Sequence, residues 1–447
     1  MNNLTCNCVP RLDGVSAAEL GRLFPEPSIT APFLSLLQES GIDGFNLRSI
    51  VVLKDDAPIL LLPLFETRFD LSTFVEGWIK KSLKVAGRLI PSLFQPRVLS
   101  VGLLAGEWSE IGIDPQIDEG TLDAACKMAF GALQKLAAEL KSDIVALYNF
   151  NHYGKLPGEV FKKFNRVQCQ SCARLPINFN SLEEFLDRLS KAARKDLRRK
   201  MRASHEVRMI RSRNISPFLD RIYKLYLETA ARGPLAFGVH NRLFFEKICE
   251  RVPDAEYTLY FVQEELGAFN LLVVKQEVMV DKYFCMDYEL GRKYNLYVLS
   301  WLENVRCCVE RNIPLYHAGQ GAEKTKAHLG ATFIPSFILF KHRQPVIDRF
   351  LIGQPAVIEK ILSHLGFWPA VSPRAASDVL ARGRQEHLLV RHLVPAAQVS
   401  ETPRSKLRGI LSEIAPKPYP PSLPRATARS PRHSSLQQAA EYPGEGE

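Results

Sequence analysis

The sequence predicts a mixed α/β (α+β) protein made of two similar halves and a C-terminal tail. Three observations support this prediction. Apolar runs of strand length alternate with helical patterns up to about residue 345, the order of these elements is similar in the two halves, and ten prolines separated mainly by Ser, Ala and Arg occur from residue 371 onward. Hydrophobic residues make up 46% and charged residues 24% of the 447 residues, which excludes collagenous, fibrous and wholly disordered chains.

The first half is predicted to begin with a β-hairpin. The apolar runs 47–53 and 58–65 are separated only by the short polar segment 54–57, which is typical of two antiparallel strands. The elements predicted after it are a strand at 98–104, a helix at 120–140, a buried strand at 143–150, a short helix near 161 and an extended segment at 168–176.

The second half is predicted to contain an antiparallel meander between helices. Short polar joints separate the apolar runs 257–263, 268–275 and 278–286, so neighbouring strands are expected to pair directly. Apolar residues at helical spacing predict helices at 218–229, 241–251 and 296–309. A short strand at 313–318, a short helix at 322–329 and a last strand at 333–341 follow.

The two halves correspond in the order of their elements. In the first half, segment 106–114 is followed by a predicted helix and then by strand 142–148. In the second half, segment 286–292 is followed by a predicted helix and then by strand 312–317, in the same order. This pattern indicates a duplicated domain, with two unrelated α/β domains as the alternative. Residues 30–178 and 215–342 are therefore expected to share a fold and to pack side by side. The predicted divisions are an N-terminal domain (1–178), a basic connecting helix (179–214), a C-terminal domain (215–345), a partly helical extension (346–399) and a disordered tail (400–447).

The sequence favours a cytoplasmic protein without a metal site. The longest apolar run, 57–65, is half of what a membrane-spanning helix needs, and the first residues lack the basic start and apolar core of a signal peptide. The nine cysteines are odd in number and scattered, which is typical of reduced thiols. Cys169 and Cys172 form a lone pair without the second pair that a zinc ribbon requires.

Several common catalytic motifs are missing from the sequence. There is no Gly-x4-Gly-Lys-Ser/Thr phosphate loop, no Gly-x-Gly-x-x-Gly after a strand, no Gly-x-Ser-x-Gly and no His-Glu-x-x-His. Nucleotide hydrolysis, dinucleotide-dependent dehydrogenation, α/β-hydrolase chemistry and zinc proteolysis are therefore disfavoured.

One segment carries most of the net charge of +10. Residues 191–213 contain ten basic and two acidic residues, so the rest of the chain is nearly neutral. A basic helix here could bind phosphates, RNA or an acidic lipid surface. The alternative is a packed helix with a basic outer face, which an apolar stripe at helical spacing favours. The stripe consists of Leu189, Ala193, Leu197 and Met201.

The segment 278–330 holds the strongest candidate for a binding site. Two strands expected to be parallel neighbours end in polar residues, one at Asp287 and the other at His317, and each is followed by a helix. Open sheets bind ligands at such carboxyl ends. Gly291 permits close backbone approach, and free amides at a helix start can hold a pyrophosphate.

Three sequence blocks carry a resemblance to a known family. Residues 189–200 (LSKAARKDLRRK), 286–294 (MDYELGRKY) and 319–330 (GQGAEKTKAHLG) resemble conserved blocks of CelD-like N-acyltransferases of the GNAT superfamily, which are related to the Fem-type peptidoglycan aminoacyltransferases. The resemblance covers about 180–345 and implies two tandem GNAT-like domains, each a mixed, mainly antiparallel sheet flanked by helices. It also implies an acyl-CoA or aminoacyl-tRNA donor and an amine acceptor. The usual Arg/Gln-x-x-Gly-x-Gly/Ala pyrophosphate loop is absent, and Leu290-Gly291-Arg292 stands in its place.

The site residues follow from this resemblance and from the chemistry of acyl transfer. Asp287 or His317 is the predicted general base, and Tyr288 or Tyr316 the predicted proton donor. Because their strands are expected to be adjacent, Asp287 and His317 should approach within about 10 Å. Backbone N–H groups near 285–287 are expected to polarise the acyl carbonyl. The residues predicted to contact CoA are Met286, Gly291, Arg292, Asn295, Gln320 and Lys326, and those predicted to line the acceptor pocket are Phe237 and His240.

The predicted function is N-acyl transfer from an acyl-CoA, acetyl-CoA among them, to an amine-bearing small molecule or envelope precursor. Only the second half is expected to bind the cofactor, because Asp114, Asp118 and Glu119 place carboxylates at the corresponding turn of the first half. The alternatives are a Fem-like transferase that uses aminoacyl-tRNA and a non-catalytic protein that binds RNA or a membrane surface through 191–213. The sequence identifies neither the acceptor nor the acyl chain.

Overall fold

The computed structural model describes residues 3–25, 27–68, 95–103, 109–150, 164–232 and 239–353. The predictions for Phe237, for a helix near 161 and for 354–447 lie outside these residues. The described strands are β1 (Leu4–Val9), β2 (Phe45–Lys54), β3 (Ala57–Arg68), β4 (Arg97–Val101), β5 (Gly112–Ile113), β6 (Ile144–Phe150), β7 (Asn165–Pro176), β8 (Val207–Ser212), β9 (Ala255–Val262), β10 (Glu265–Val274), β11 (Met279–Met286), β12 (Leu315–Gly319) and β13 (Thr332–His342). The described helices are α1 (Ala17–Leu23), α2 (Thr30–Ser40), α3 (Glu119–Glu139), α4 (Leu182–Arg188), α5 (Lys191–Arg202), α6 (Leu219–Ala230), α7 (Arg242–Arg251), α8 (Tyr288–Lys293), α9 (Leu296–Glu310), α10 (Glu323–His328) and α11 (Pro345–Gly353).

All the described strands belong to one sheet. Its order is β1-β2-β3-β4-β6-β13-β7-β12-β11-β10-β9-β8, and β5 pairs with β3 away from this path. The pairs β4–β6 and β11–β12 are parallel, and every other pair in the described sheet is antiparallel. The predicted mixed, mainly antiparallel sheet flanked by helices is confirmed, as are the hairpin β2–β3 and the meander β9–β10–β11.

The two halves of the sheet repeat one another and exchange their last strands. The order β1-β2-β3-β4-β6 of the first half matches β8-β9-β10-β11-β12 of the second. Each half connects its hairpin strands through a two-residue turn with positive φ at both residues, Asp55-Asp56 and Gln263-Glu264, which is typical of type I′ hairpins. Strand β7 pairs with β12 of the second half, and β13 pairs with β6 of the first.

The repeated unit begins earlier than expected. Strands β1 and β8 lie before residues 30 and 215, the predicted starts of the two similar segments. The predicted basic connecting helix at 179–214 is wrong in its second part, because 207–212 form the edge strand β8. The helical part consists of α4, α5 and a short 3₁₀ helix at Ala203–Glu206. The apolar stripe of this segment packs as predicted, since Ala193 and Leu197 are buried and Leu189 and Met201 contact the same core.

Helices cover both faces of the sheet and divide the core accordingly. On one face, residues of α1, α2, α6 and α7 form a single core that both halves share, with Phe33 near Phe244 at a ring distance of 6.3 Å. On the opposite face, α3 packs against the first half and α9 against the second. Alternate residues of β11 and β12 therefore point into two different environments, one on each face of the sheet.

None of the helices in the described residues has the length and apolar character needed to cross a membrane. Within the same residues, no group of three His, Cys, Asp or Glu side chains is arranged to hold a metal ion.

Candidate active site where two parallel strands separate

The parallel strands β11 and β12 pair over only two positions. Met279 lies opposite Tyr316, and Val280 lies opposite His317. Strand β12 ends at Gly319, where an added Cβ would lie 3.6 Å from the carbonyl oxygen of Asp281. Strand β11 continues to Met286 beside β10. Among the described residues, the backbone of 282–286 therefore has no strand neighbour on the side of β12.

A cluster of hydrogen-bonded side chains lies at the point of separation. Asp281 is the first residue of β11 beyond the pair of Val280 with His317, and the residue as a whole is half-buried. Its Oδ1 accepts from Asn270 Nδ2 at 2.7 Å, and its Oδ2 accepts from the Tyr316 hydroxyl at 2.8 Å. Asn304 Nδ2 donates to Asn270 Oδ1 at 2.8 Å and to Tyr316 Oη at 3.0 Å. Four polar side chains from β10, β11, α9 and β12 thus meet on one face of the sheet.

Burial controls the ionisation of this cluster. Loss of solvent raises the pKa of the Asp281 carboxyl, although the hydrogen bonds from Tyr316 and Asn270 act in the opposite direction. Burial also raises the pKa of the Tyr316 hydroxyl well above its ordinary value, with Asp281 the next cause. Tyr316, which was predicted to donate a proton, is therefore a neutral hydrogen-bond donor to Asp281.

Lys326 closes the end of β12 beside this cluster. Its ammonium donates to the carbonyls of Ala318, Gly319 and Gln320 at 2.6, 3.2 and 2.9 Å. Burial lowers the pKa of Lys326 to about 8, which leaves the amine mostly protonated at neutral pH. Three carbonyl acceptors match the three N–H donors of an ammonium group. The predicted contact of Lys326 with a cofactor stays a prediction, since its protons are bound to the protein.

His317 lies on the opposite face of the sheet from Tyr316, because successive residues of a strand point to opposite sides. It is 1% exposed and pairs in register with Arg174 of β7. Burial, followed by the charges of Lys282, Lys326 and Arg174, lowers the pKa of His317 to about 3. The imidazole is therefore neutral and weakly basic, so its predicted role as general base stays a prediction.

The expectation that Asp287 and His317 lie close together is wrong. His317 is opposite Val280, and Asp287 lies seven residues further along β11. At about 3.3 Å per residue, the two residues are about 23 Å apart along the strand direction. The prediction aligned the carboxyl ends of the two strands, whereas β12 is short and pairs with the beginning of β11.

Asp287 caps the helix that follows β11. Its Oδ1 accepts from the amides of Glu289 and Leu290, both at 3.0 Å, and its Oδ2 lies 3.6 Å from Arg221 Nη2. These are the amides that were predicted to hold a pyrophosphate, and a carboxylate already occupies them. Tyr288, the other predicted proton donor, stacks under the Arg232 guanidinium at 4.1 Å. It belongs to the same distant end of β11.

The predicted CoA-contacting residues at the end of β11 make local contacts within the protein. A Cβ on Gly291 would approach Met286 Sδ, so the missing side chain allows α8 to pack on Met286. Arg292 is exposed, and Asn295 adopts positive φ between α8 and α9. Asp287 caps the amides at the start of α8, and the predicted contacts of Gly291, Arg292 and Asn295 with a pyrophosphate stay predictions.

Gln320 and His240 contact the protein itself. Gln320 Nε2 donates to Asn149 Oδ1 at 2.8 Å and thereby joins the ends of β12 and β6. His240 is 2% exposed, stacks on Phe244 at 4.0 Å, and its Nε2 lies 2.7 Å from the Tyr283 hydroxyl. Burial lowers the pKa of His240 to about 3. His240 is a core residue, and its predicted contact with an acceptor would have to be indirect.

The sequence reasoning missed Asp281, Asn270 and Asn304. One signal could have found them, because each is a polar residue at a position where the surrounding pattern is apolar. Asp281 interrupts β11, Asn270 interrupts β10, and Asn304 occupies the buried side of α9. Buried polar groups of this kind require partners, and three of them in adjacent elements predict a cluster.

Comparison with known proteins found similarity only at the level of solved structures. No protein-family model and no curated protein matches the sequence. A tandem GNAT protein from the clavulanic acid biosynthesis pathway is 10% identical, with a TM-score of 0.46 over 77% of this chain and 99% of its own. FemX is 11% identical, with a TM-score of 0.44 over 72% of this chain and 94% of its own. L-PGS from Bacillus licheniformis is 11% identical, with a TM-score of 0.44 over 76% and 97%. Similarity at this level does not identify an activity or a substrate.

Proposed function

We propose that the protein is an acyltransferase that moves an acyl group to an amine in the opening between β11 and β12. The observation that supports this is the early separation of the two strands, with Asp281 and Tyr316 on one side and the Lys326 ammonium at the end of β12. Among the described residues, the backbone of 282–286 has no strand partner on the side of β12, so N–H groups that point to this side are not used by a strand. Such groups can stabilise the oxyanion that forms when an amine attacks an acyl carbonyl.

The reaction needs a neutral amine, a polarised carbonyl and a protonated leaving group. The amine nitrogen forms a bond with the carbonyl carbon, and the bond from that carbon to sulfur or oxygen of the donor breaks. Lys326 lies near the opening and contributes positive charge through space. His317 stays a candidate base on the other face of the sheet. Asp287 and Tyr288 are disfavoured as the base and the proton donor, because both lie at the far end of β11.

The donor is proposed to be an acyl thioester or an acyl ester. The sequence resemblance favours acyl-CoA, with aminoacyl-tRNA as the alternative. Because Asp287 caps the amides at the start of α8, we expect the phosphate groups of the donor to contact side chains rather than these amides. Arg292, an exposed cation on the same helix, is the candidate for this contact. The predicted contacts of Met286 and Asn295 with the donor remain part of this proposal.

The acceptor is proposed to be an amine-bearing small molecule or an envelope precursor, and a cytoplasmic location is part of this proposal. The alternative of a non-catalytic RNA- or membrane-binding protein depends on free cations on α5. Several of these are paired with carboxylates: Arg194 with Asp187 at 2.8 Å, Arg198 with Glu183 at 2.6 Å, and Arg199 and Lys200 with Asp196, both at 2.7 Å. This pairing favours a packed helix over a polyanion-binding surface.

A donor screen tests the proposal. The protein is incubated with acetyl-CoA, longer acyl-CoAs or charged tRNA, together with a panel of primary amines, and the amide product is detected by mass spectrometry. At least one pair should give more product than a boiled control. A variant in which Arg194, Lys195, Arg198 and Arg199 are replaced by Gln should retain transfer from acyl-CoA. If no pair gives product while RNA or anionic vesicles bind in a salt-dependent manner, the alternative is correct.

A further inference from the structure

We propose that Asp281 accepts the proton of the attacking amine, and that Tyr316, Asn270 and Asn304 are positioning residues that hold its carboxylate for this step. This inference rests on the proposed acyl transfer and adds the identity of the base. It replaces Asp287, which the sequence favoured, with a carboxylate on the same strand that lies about 20 Å away at about 3.3 Å per residue.

Asp281 lies where a base for this reaction must lie. Pairing of β11 with β12 stops at Val280, and Gly319 still lies beside the Asp281 carbonyl, so the opening begins at this residue. The register of β11 against β10 also shifts here, with Lys282 as the extra residue of a β-bulge. Bulges change the direction of a strand and of its side chains, and they are frequent next to active sites.

The hydrogen bonds of Asp281 fix the carboxylate without neutralising it. Asn270 donates to Oδ1, and Tyr316 donates to Oδ2. Neither donor is a cation, so the carboxylate forms no ion pair in these contacts and keeps its capacity to bind a proton. Asp281 as a residue is only partly buried, and it lies directly beyond the last pair of β11 with β12. Asn304 stabilises both partners through its Nδ2, which makes the arrangement rigid.

The charged and titratable groups around Asp281 come from several elements. They are Tyr260 of β9, Tyr297 of α9, Tyr316 of β12, Lys326 of α10, and Lys282 and Cys285 of β11. Tyr316, Lys326 and Lys282 favour the ionised carboxylate, but desolvation outweighs them and raises the pKa of Asp281. A carboxylate with a raised pKa is a better proton acceptor than an ordinary one.

The proton balance of the step is complete. The amine loses one proton to Asp281 as the carbon–nitrogen bond forms. Asp281 then returns this proton to the sulfur or oxygen of the leaving group when the bond between carbon and that atom breaks. The carboxylate is restored, and no further reactant is required.

The raised pKa of Asp281 also makes the stability of the folded protein depend on pH. An ionised carboxylate in a desolvated site lowers the stability of the folded protein, because the folded state favours the protonated form. Stability linked to Asp281 is complete below the unfolded pKa of about 3.9 and is lost as the pH rises through the raised folded pKa. Asp281→Asn removes this loss, so its melting temperature should exceed that of the wild type by more at pH 7 than at pH 4.

The experiment uses the full chain with the donor and amine that the wild type converts. Asp281→Asn should lower kcat by about 100-fold or more and abolish the rise of rate with pH, without lowering the melting temperature at pH 7. Tyr316→Phe should move that rise to higher pH, because the carboxylate loses a donor that favours its ionised form. Tyr260→Phe is the matched control: its hydroxyl is buried near Asp281 but has no hydrogen-bond partner among the described residues, so the pH profile should not change.

Two results would overturn the inference while leaving acyl transfer intact: an Asp281→Asn variant with wild-type rate and pH profile, or a Tyr316→Phe variant whose pH profile does not shift. The second applies even if Asp281→Asn does not fold. A wild-type protein that is inactive with every donor overturns the proposed function, and this inference with it.

Discussion

His240 should make the protein sensitive to acid, and its replacement should reduce that sensitivity. The imidazole is buried against Phe244, and its Nδ1 has no hydrogen-bond partner among the described residues. Burial lowers its pKa from 6.5 to about 3. Above pH 6.5 the imidazole is neutral in both folded and unfolded chains. As the pH falls below 6.5, only the unfolded chain binds the proton, so folding stability is lost.

The size of this effect follows from the pKa difference. Each pH unit between the two pKa values costs about 1.4 kcal/mol for one histidine. His317, whose pKa is also about 3, contributes the same slope. Between pH 7 and pH 4.5 the wild type should therefore lose about 2.5 kcal/mol more than His240→Phe, which keeps an aromatic ring but cannot bind a proton. Carboxylates that titrate in this range affect both proteins equally.

Urea unfolding followed by tryptophan fluorescence at pH 7.0, 6.0, 5.0 and 4.5 measures the difference. Phe244→Leu is the control, because it disturbs the same cluster and leaves His240 titratable, so its stability should differ from the wild type by the same amount at every pH. If the difference between wild type and His240→Phe stays constant from pH 7.0 to 4.5, His240 is not held neutral in the folded protein.

Three further substitutions test other contacts of the fold. Asp287→Ala should lower the free energy of unfolding by about 1 kcal/mol, because the helix cap is lost. Asp287→Asn keeps a capping side chain and should change neither stability nor acyl transfer by much. A large loss of transfer in the Asn variant would support Asp287 as the base. Gly330→Ala should destabilise the protein by about 2 kcal/mol, because φ is +87° and the new Cβ would lie 2.9 Å from Leu189 Cδ2. Gly131→Ala in α3 has open space around the new Cβ and should stabilise the protein by about 0.5–1 kcal/mol in the same urea assay. Lys326→Met should lower stability by about 2 kcal/mol, because buried carbonyls at the end of β12 lose their donor; an unchanged melting temperature would contradict this.

Local patterns predicted the elements whose partners are close in sequence. The hairpin β2–β3 and the meander β9–β10–β11 have short polar joints between apolar runs, so turn chemistry and periodicity agree. The edge strands β1 and β8 were missed because they are short and polar on their outer side, with the sequences LTCNCV and VRMIRS. An edge strand buries little apolar surface and so leaves a weak pattern.

The sequence analysis placed the candidate site in the segment 278–330, and the structure places Asp281 and Tyr316, rather than Asp287, at the point where β11 and β12 separate. The sequence indicates that β11 and β12 are neighbours, but parallel register depends on contacts far apart along the chain. Because His317 pairs with Val280 rather than with a residue near Asp287, the carboxylate next to the opening is Asp281. Asp281 could have been suspected from its apolar surroundings, whereas its bonds to Asn270 and Tyr316 require the packed sheet.

The exchange of β7 and β13 between the halves affects how the chain can reach its folded state. Strand β7 ends at Pro176, but both of its neighbours, β12 and β13, lie beyond residue 314. During synthesis the first half therefore cannot complete its part of the sheet until almost all of the second half has left the ribosome. Such long sequence separations are associated with slow folding and with exposed strand edges in intermediates. We therefore expect that a fragment ending near residue 178 would not fold alone, although the strand order of that half is nearly complete.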